Sequence, residues 1–456
     1  MVNELQKIPS VDAVLRDPLI EELCNIFSRP YVTTTVRAVL TNFRTNMKKG
    51  TTAPDISEII YNIETYIANK LNTFPKSVIN GTGIILHTNF GRALLSKEST
   101  QAIKDIAINY SNLEFNLTSG ERYPRHKHIE HLINYLTNSE ASNIVNNNAA
   151  ALILTLTSIC ENKEVIISKG EQVEIGGGFR IPDIVNQSRV HIKEVGTTNR
   201  TYISDYENAI NKNTAAILKV HPSNFKTIGF TKSPELDELV QLANKYGIKV
   251  INDLGSGCLM NTEQYGIEHE PTVQESAASG CHITLFSGDK LIGGPQSGII
   301  VGEKELINKT IKHPLARSFR LDKFNLAGLH RTLEHYIRGE VDKKIPVWQM
   351  IKMSKKVIMT KAEKLQKLIK YKSTIEKNVS EIGGGSLPGQ ELETYVLAIN
   401  ERHLPLEDQA SFRTKLREST PAVIGRSENS KLLFDLRTIN TNQIKTLANI
   451  INSINT

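Results

Sequence analysis

Cysteine is scarce in this sequence. Its 456 residues include four: Cys24, Cys160, Cys258 and Cys281. They are scattered and form no CxxC pair, so neither a zinc site nor a disulfide frame is expected. Reduced thiols in a cytoplasmic protein are expected instead. Long apolar runs are also missing. The greasiest stretch, AAALILTLTSIC over 149–160, is too short and too threonine-rich to span a bilayer. The opening MVNELQKIPSVDAVLRDP lacks the basic start and apolar block of a secretory leader. Internal repeats and low-complexity blocks are absent. What remains is a chain, 39% hydrophobic, long enough for two or three domains with real cores.

Acidic residues are outnumbered, and the net charge is +7. That balance suits an anionic partner such as nucleic acid or a phosphate-bearing ligand, although many soluble enzymes are mildly basic. The charge is uneven. Residues 343–377 carry eleven lysines against two glutamates. A run such as KKVIMTKAEKLQKLIKYK reads first as the solvated face of an amphipathic helix, and second as a nucleic-acid contact.

Three textures follow one another. Residues 1–75 read as helical, because VDAVLRDPLIEELCNIF and ISEIIYNIETYIANKLN repeat apolar residues every three or four positions. Arg37, Arg44, Lys48 and Lys49 form a basic stretch there without acids. From about 80, short apolar runs alternate with helical stretches. EVIIS (164–168), VHIKEV (190–195), AAILKV (215–220), KVIND (249–253), HITLF (282–286) and SGIIVG (297–302) read as strands, with SDYENAI and SPELDELVQLANKYG as helices between them. The alternation predicts an α/β core, a mostly parallel sheet with helices on both faces. After about 330 a long lysine-rich helical stretch leads into a mixed segment with TYVLAI and KLLFDL. The expected domains are therefore a helical 1–75, a core over 76–335 and a small α+β domain over 336–456.

One peptide carries the chemistry. FSGDKLIGGPQSG (286–298) puts Lys290 on a glycine-rich turn between two strands. Lysine attacks carbonyls only as the neutral amine, which burial favours. Such a lysine fits one that holds pyridoxal phosphate (PLP) as a Schiff base; the plainer reading is a surface turn. In KVINDLGSG, Asp253 ends an apolar run 37 residues earlier. A buried carboxylate there would keep the pyridine nitrogen of PLP protonated, although DLGSG is also good turn chemistry. Asn146, Asn147 and Asn148 precede an alanine-rich helix whose free N–H groups would suit a phosphate, with ordinary capping as the alternative. Ser287 offers a hydroxyl to the same phosphate. Arg92 in HTNFGRALLS, and Arg317 and Arg320 in HPLARSFRLDK, are candidates for an anionic second substrate; the last two would share a face if helical. GEQVEIGGGFRIPDI (170–184) and EVGTTNRT (194–201) read as active-site or subunit-contact loops.

These peptides, with INGTGIILHTNFGRALLS, occur in an order that resembles the bacterial selenocysteine synthase (L-seryl-tRNA(Sec) selenium transferase) family from about 80 to 340. The resemblance implies a fold-type-I PLP-dependent enzyme with a helical N-terminal tRNA-binding domain, assembled as a homo-oligomeric ring of dimers, a decamer. It implies conversion of seryl-tRNA(Sec) to selenocysteinyl-tRNA(Sec) through aminoacrylyl-tRNA, with selenophosphate as selenium donor. Lys290 matches the family's PLP lysine and Asp289 its neighbouring acid. Arg92, Arg317 and Arg320 match arginines expected to bind the donor's phosphate. Two other readings stand beside it: a PLP-dependent lyase or aldolase acting on a small amino acid or amino sugar, and a non-catalytic RNA-binding scaffold with a PLP-type core.

Overall fold

The computed structural model describes residues 6–71, 73–176, 178–400 and 409–454. Met1–Leu5 and Asn72 of the expected helical region, and Gly177 of the glycine-rich 170–184 segment, lie outside them. The chain divides into two compact units, Met1–Ser77 and Val78–Thr456.

The first unit contains helices Val11–Leu15, Pro18–Ile26, Arg29–Met47 and Ile56–Leu71. Ser10 and Asp17 cap the first two by accepting from the amides of Ala13 and Leu19. Pro18 and Pro30 occupy first turns, where a missing N–H is harmless. Val32, Val36 and Leu40 close on Ile59, Ile63 and Ile20 in an apolar core. Arg37, Arg44, Lys48 and Lys49 remain exposed.

The strands of the second unit, in chain order, are β1 (Val78–Asn80), β2 (Ala141–Val145), β3 (Glu164–Ser168), β4 (Glu174–Gly176), β5 (Phe179–Arg180), β6 (His191–Val195), β7 (Thr214–Val220) and β8 (Lys249–Gly255). They continue with β9 (Ile283–Ser287), β10 (Gly298–Gly302), β11 (Ser373–Glu381), β12 (Glu391–Asn400), β13 (Ala422–Ile424), β14 (Arg426–Glu428) and β15 (Lys431–Asp435). A seven-stranded sheet has the order β2-β10-β9-β8-β7-β3-β6. Strands β6, β3, β7, β8 and β9 run parallel, and β10 is antiparallel to both its neighbours. The inner strands are continuously apolar because helices cover both faces. One face packs Leu254, Phe286 and Ile299 against Leu329 and Trp348; the other packs Leu218, Ile251 and Leu285 against Leu152 and Leu156. Edge strand β6 exposes His191, Lys193 and Glu194, polar side chains that discourage further strand pairing. The expected mostly parallel sheet, covered on both sides, is present.

A second, antiparallel sheet has the order β11-β12-β15-β14, and β1 pairs in parallel with β13. Residues 78–80 thus reach across most of the unit's length in sequence. The lysine-rich stretch is helical but divided. Gly339, at φ +63, and Pro346 split it into Lys323–Ile337, Val341–Lys344, Pro346–Lys352 and Lys355–Leu368. Strand β2 went unread because Ser142 and Asn143 interrupt its apolar pattern, yet both are buried; Asn143 donates to Thr310 Oγ1 at 3.0 Å. Among the described residues, no helix is long and apolar enough to cross a membrane.

Candidate active site

The loop carrying Lys290 runs from the end of β9 to the start of β10. Its glycines are packing requirements. A Cβ at Gly288 would come within 2.1 Å of Ser297 Oγ, and one at Gly293, at φ +72, within 2.2 Å of the Ile345 side chain. Amide donation from Gly293 to the Lys290 carbonyl and from Gly294 to the Gly288 carbonyl, both 2.9 Å, closes the turn. Trp348 Nε1 donates to the Leu291 carbonyl at 2.9 Å, and the Tyr336 hydroxyl lies 3.1 and 3.0 Å from the carbonyls of Leu291 and Ile292. Two helices therefore hold the loop from outside, and the lysine is carried inward.

Lys290 is 4% exposed. Burial pushes its ammonium down to about 8, with the nearby Arg92 charge helping and Asp289, Asp253 and Glu270 opposing. Glycines make room for it. A Cβ at Gly385, at φ +90, would stand 2.8 Å from Lys290 Nζ, and one at Gly255 3.6 Å from it. The neighbouring Asp289 carboxylate is held by Arg92 at 3.1 Å, and the Asp289 carbonyl accepts from the Ala93 amide at 3.2 Å. Gly91 and Arg92 both adopt positive φ, which turns the arginine back onto the aspartate.

Asp253 lies near the end of β8, fully enclosed. Burial raises its carboxyl above the usual range, against the Asn148 amide, which donates to Oδ1 at 2.7 Å, and the Lys290 charge. Asn147 caps helix Asn148–Cys160 by accepting from the Ala150 amide at 2.8 Å. Capping and anion binding coexist here. Helix geometry still leaves the amides of Asn148 and Ala149 without an intrahelical acceptor. Ser287 is buried at the end of β9. Asn148 Oδ1 and Ser256 Oγ are buried without a hydrogen-bond partner. A buried acid awaiting a positive N–H, open helix amides, orphaned polar atoms and a lysine tip flanked by Gly255 and Gly385 all fit PLP. Lys290, Asp253, Asn147, Asn148 and Ser287 thus gather around the ends of β8, β9 and the helix that follows β2.

The three candidate arginines are not gathered in this chain. Arg92 stands beside Asp289. Arg317 and Arg320 line a different cavity of about 430 Å³ with Glu114, Arg122, Arg125 and His126. Nor do they share a helix face: helix Leu315–Ser318 ends first, and Arg320 forms a bridge with Val145. Glu114 accepts from Arg320 Nη1 at 2.7 Å, Arg125 Nε at 2.8 Å and Arg122 Nη2 at 3.3 Å. The Arg125 hydrogen bond chiefly holds its carboxyl below the usual range. Loop 194–201 and the start of 170–184 border a larger cavity of about 750 Å³, shared with His221 and Glu270.

Sequence reading missed Gly385, His221 and Glu270. The run GGGSLPG over 383–389 was a visible signal for the first, and a histidine directly after strand β7 for the second.

The L-seryl-tRNA selenium transferase family model matches residues 78–440, and a selenocysteine synthase N-terminal model matches residues 5–44. The L-seryl-tRNA(Sec) selenium transferase of Carboxydothermus hydrogenoformans is 44% identical over 95% of this chain and 94% of its own length. That of Alkaliphilus oremlandii is 41% identical over 98% of each. Among solved structures, a D-glucosaminate-6-phosphate ammonia-lyase shares the fold, with a TM-score of 0.59 and 21% identity over 85% of this chain and 97% of that one. This chain belongs to the L-seryl-tRNA selenium transferase family.

Proposed function

We propose that this protein converts seryl-tRNA(Sec) to selenocysteinyl-tRNA(Sec), with PLP as cofactor and selenophosphate as selenium donor. The observation that carries the reading is the enclosed Lys290, its amine pushed down to about 8, beside the buried Asp253. When bound, PLP supplies an aldehyde for amines and a ring that stores the electron pair left by a departing α-proton. Lys290 Nζ would hold the cofactor and, as a free amine, would take that proton. The Asp253 carboxylate, fixed by Asn148 through Oδ1, would keep the ring nitrogen of the bound cofactor protonated. The open amides of Asn148 and Ala149, with Ser287, receive the cofactor phosphate, and Asn147 shapes that helix end. Asp289, oriented by Arg92, or the protonated Lys290 delivers a proton to the leaving hydroxyl. Arg92, Arg317 and Arg320 hold the selenophosphate, whose negative charge their guanidinium groups offset. Since the last two line a separate cavity in one chain, the reading brings them to Lys290 from a neighbouring copy, in a ring of dimers, a decamer. The first 75 residues bind the tRNA, and the enzyme works in the cytoplasm.

The test is Lys290→Ala. The purified variant should lose the yellow, borohydride-reducible chromophore and form no selenocysteine on the RNA when given seryl-tRNA(Sec) and selenophosphate. Full colour and turnover in that variant would overturn the assignment.

A further inference from the structure

His221 and Glu270 have no place in the steps above, yet they form a buried pair with unpartnered polar atoms facing each other. Glu270 is 2% exposed. Its Oε1 lies 3.4 Å from His221 Nε2, and both atoms are buried without a hydrogen-bond partner. Two complementary polar atoms left this close, short of a good bond, mark a contact that needs a small movement to close.

Their setting ties them to the lysine. The His221 amide donates to the Asp253 carbonyl at 2.9 Å, so the imidazole leaves the chain beside the strand that carries Asp253. The turn continues through Pro222 to Ser223, whose amide donates to the His221 carbonyl at 2.8 Å. Ser223 Oγ and Lys290 Nζ flank the same empty position, 3.5 and 3.6 Å from where a Cβ on Gly255 would stand. Glu270 is fixed from the other side, its amide donating to Thr262 Oγ1 at 2.9 Å. Other charged groups face the pair. Glu171 accepts from the Val220 amide at 3.0 Å and lies 3.6 Å from Lys219 Nζ, while Asp253, Lys290 and Glu275 approach from neighbouring segments. Lys219 is already engaged by Glu171 and Lys290 is reserved for the cofactor, so the His221 imidazole is the hydrogen-bond donor within reach of Glu270.

We propose that Glu270 and His221 close into a carboxylate–imidazole hydrogen bond when the lysine pocket is filled, and that Glu270 thereby makes His221 a positioning residue for the bound cofactor. Glu270 Oε1 accepts the Nε2 proton, which fixes the tautomer and leaves Nδ1 as the nitrogen offered to the occupant. His221 also lines the cavity of about 750 Å³, together with Asn252 and Leu254, the two residues that flank Asp253. The inference rests on the PLP reading of Lys290.

The experiment is a double-mutant cycle on the holoprotein with Glu270→Gln, His221→Asn and the double variant. Two quantities are read: the dissociation constant of PLP, and the pH midpoint of the visible band of the bound cofactor. Each single variant should keep the wild-type circular dichroism spectrum and weaken PLP binding by about 10- to 100-fold, the range typical of partners that orient a functional histidine. The double variant should be no worse than either single one. Glu270→Gln should also move the pH midpoint downward, because a nearby negative charge favours the protonated form of the nitrogen at Lys290, as it does for the free amine. Additive losses, or unchanged affinity and midpoint, would overturn the pair. Should one substitution prevent folding, an unmoved midpoint in the other decides against it. Lys290→Ala separates the two readings: colour retained there removes the cofactor assignment itself, whereas additivity with Lys290 intact removes only the pair.

Discussion

At the residue scale the governing quantity is the protonation of Lys290. An exposed lysine is an ammonium ion at neutral pH and cannot attack a carbonyl. Enclosure changes this, because the charged form loses its water while the neutral form loses little. Arg92 adds to the effect; Asp289, Asp253 and Glu270 limit it, leaving the amine at about 8. The sign follows directly. Below that pH the side chain is mostly protonated and slow, and above it mostly neutral and reactive. The rate at which cofactor-free protein takes up PLP should therefore rise with pH through a midpoint near 8, followed by the growth of the visible band. A midpoint close to the ordinary lysine value of 10.5 would mean that the enclosure does not persist in solution.

At the scale of elements, the lysine loop is only as firm as what grips it. Leu291 and Ile292 offer their carbonyls to Tyr336, on helix Lys323–Ile337, and Leu291 also to Trp348, on helix Pro346–Lys352. Tyr336→Phe keeps the ring and deletes the hydroxyl. The Leu291 carbonyl would keep its indole donor, while the Ile292 carbonyl would lose its side-chain partner. A buried group left this way costs about 1–3 kcal/mol. Urea unfolding should show a lower midpoint with an unchanged slope, and PLP should dissociate faster; an unaltered midpoint would remove the hydroxyl from the account. The same contacts explain what the sequence could and could not disclose. Lys290, Asp253 and the asparagine helix cap were legible because each sits at the end of a locally recognisable strand or helix. Gly385 was not. It lies 95 residues beyond the lysine, and its importance arises only where the segment after β11 folds back so that a Cβ would touch Nζ. The pairing of His221 with Glu270 was hidden for the same reason: 49 residues separate them, and only the fold makes them neighbours. Strand β2 was hidden by its own serine and asparagine; the polarity of Asn143 is met by Thr310, a tertiary partner invisible to a periodicity argument.

On the scale of the whole molecule, the chain divides at Ser77 and Val78 into two units, to which the proposed function gives two kinds of work. Every residue proposed for chemistry, from Arg92 to Gly385, lies in the second unit. The first unit has its own apolar core, and its longest helix, Arg29–Met47, leaves Arg37 and Arg44 exposed seven residues apart, with Lys48 just past its end. Positions seven and eleven apart recur on one side of a helix, so these charges form a stripe suited to a phosphate backbone. A chain lacking residues 1–77 should therefore still fold and bind PLP, since neither the sheet nor Lys290 depends on the missing core. It should lose affinity for seryl-tRNA(Sec). Charge reversal, Arg37→Glu with Arg44→Glu, should reproduce that loss in the full chain while the visible band stays unchanged. Each phosphate contact removed lowers the slope of log affinity against log salt by roughly one, so the double variant should bind more weakly and respond less steeply to salt. A binding titration at several salt concentrations measures both effects. Wild-type affinity and slope in the double variant would move tRNA recognition off this stripe.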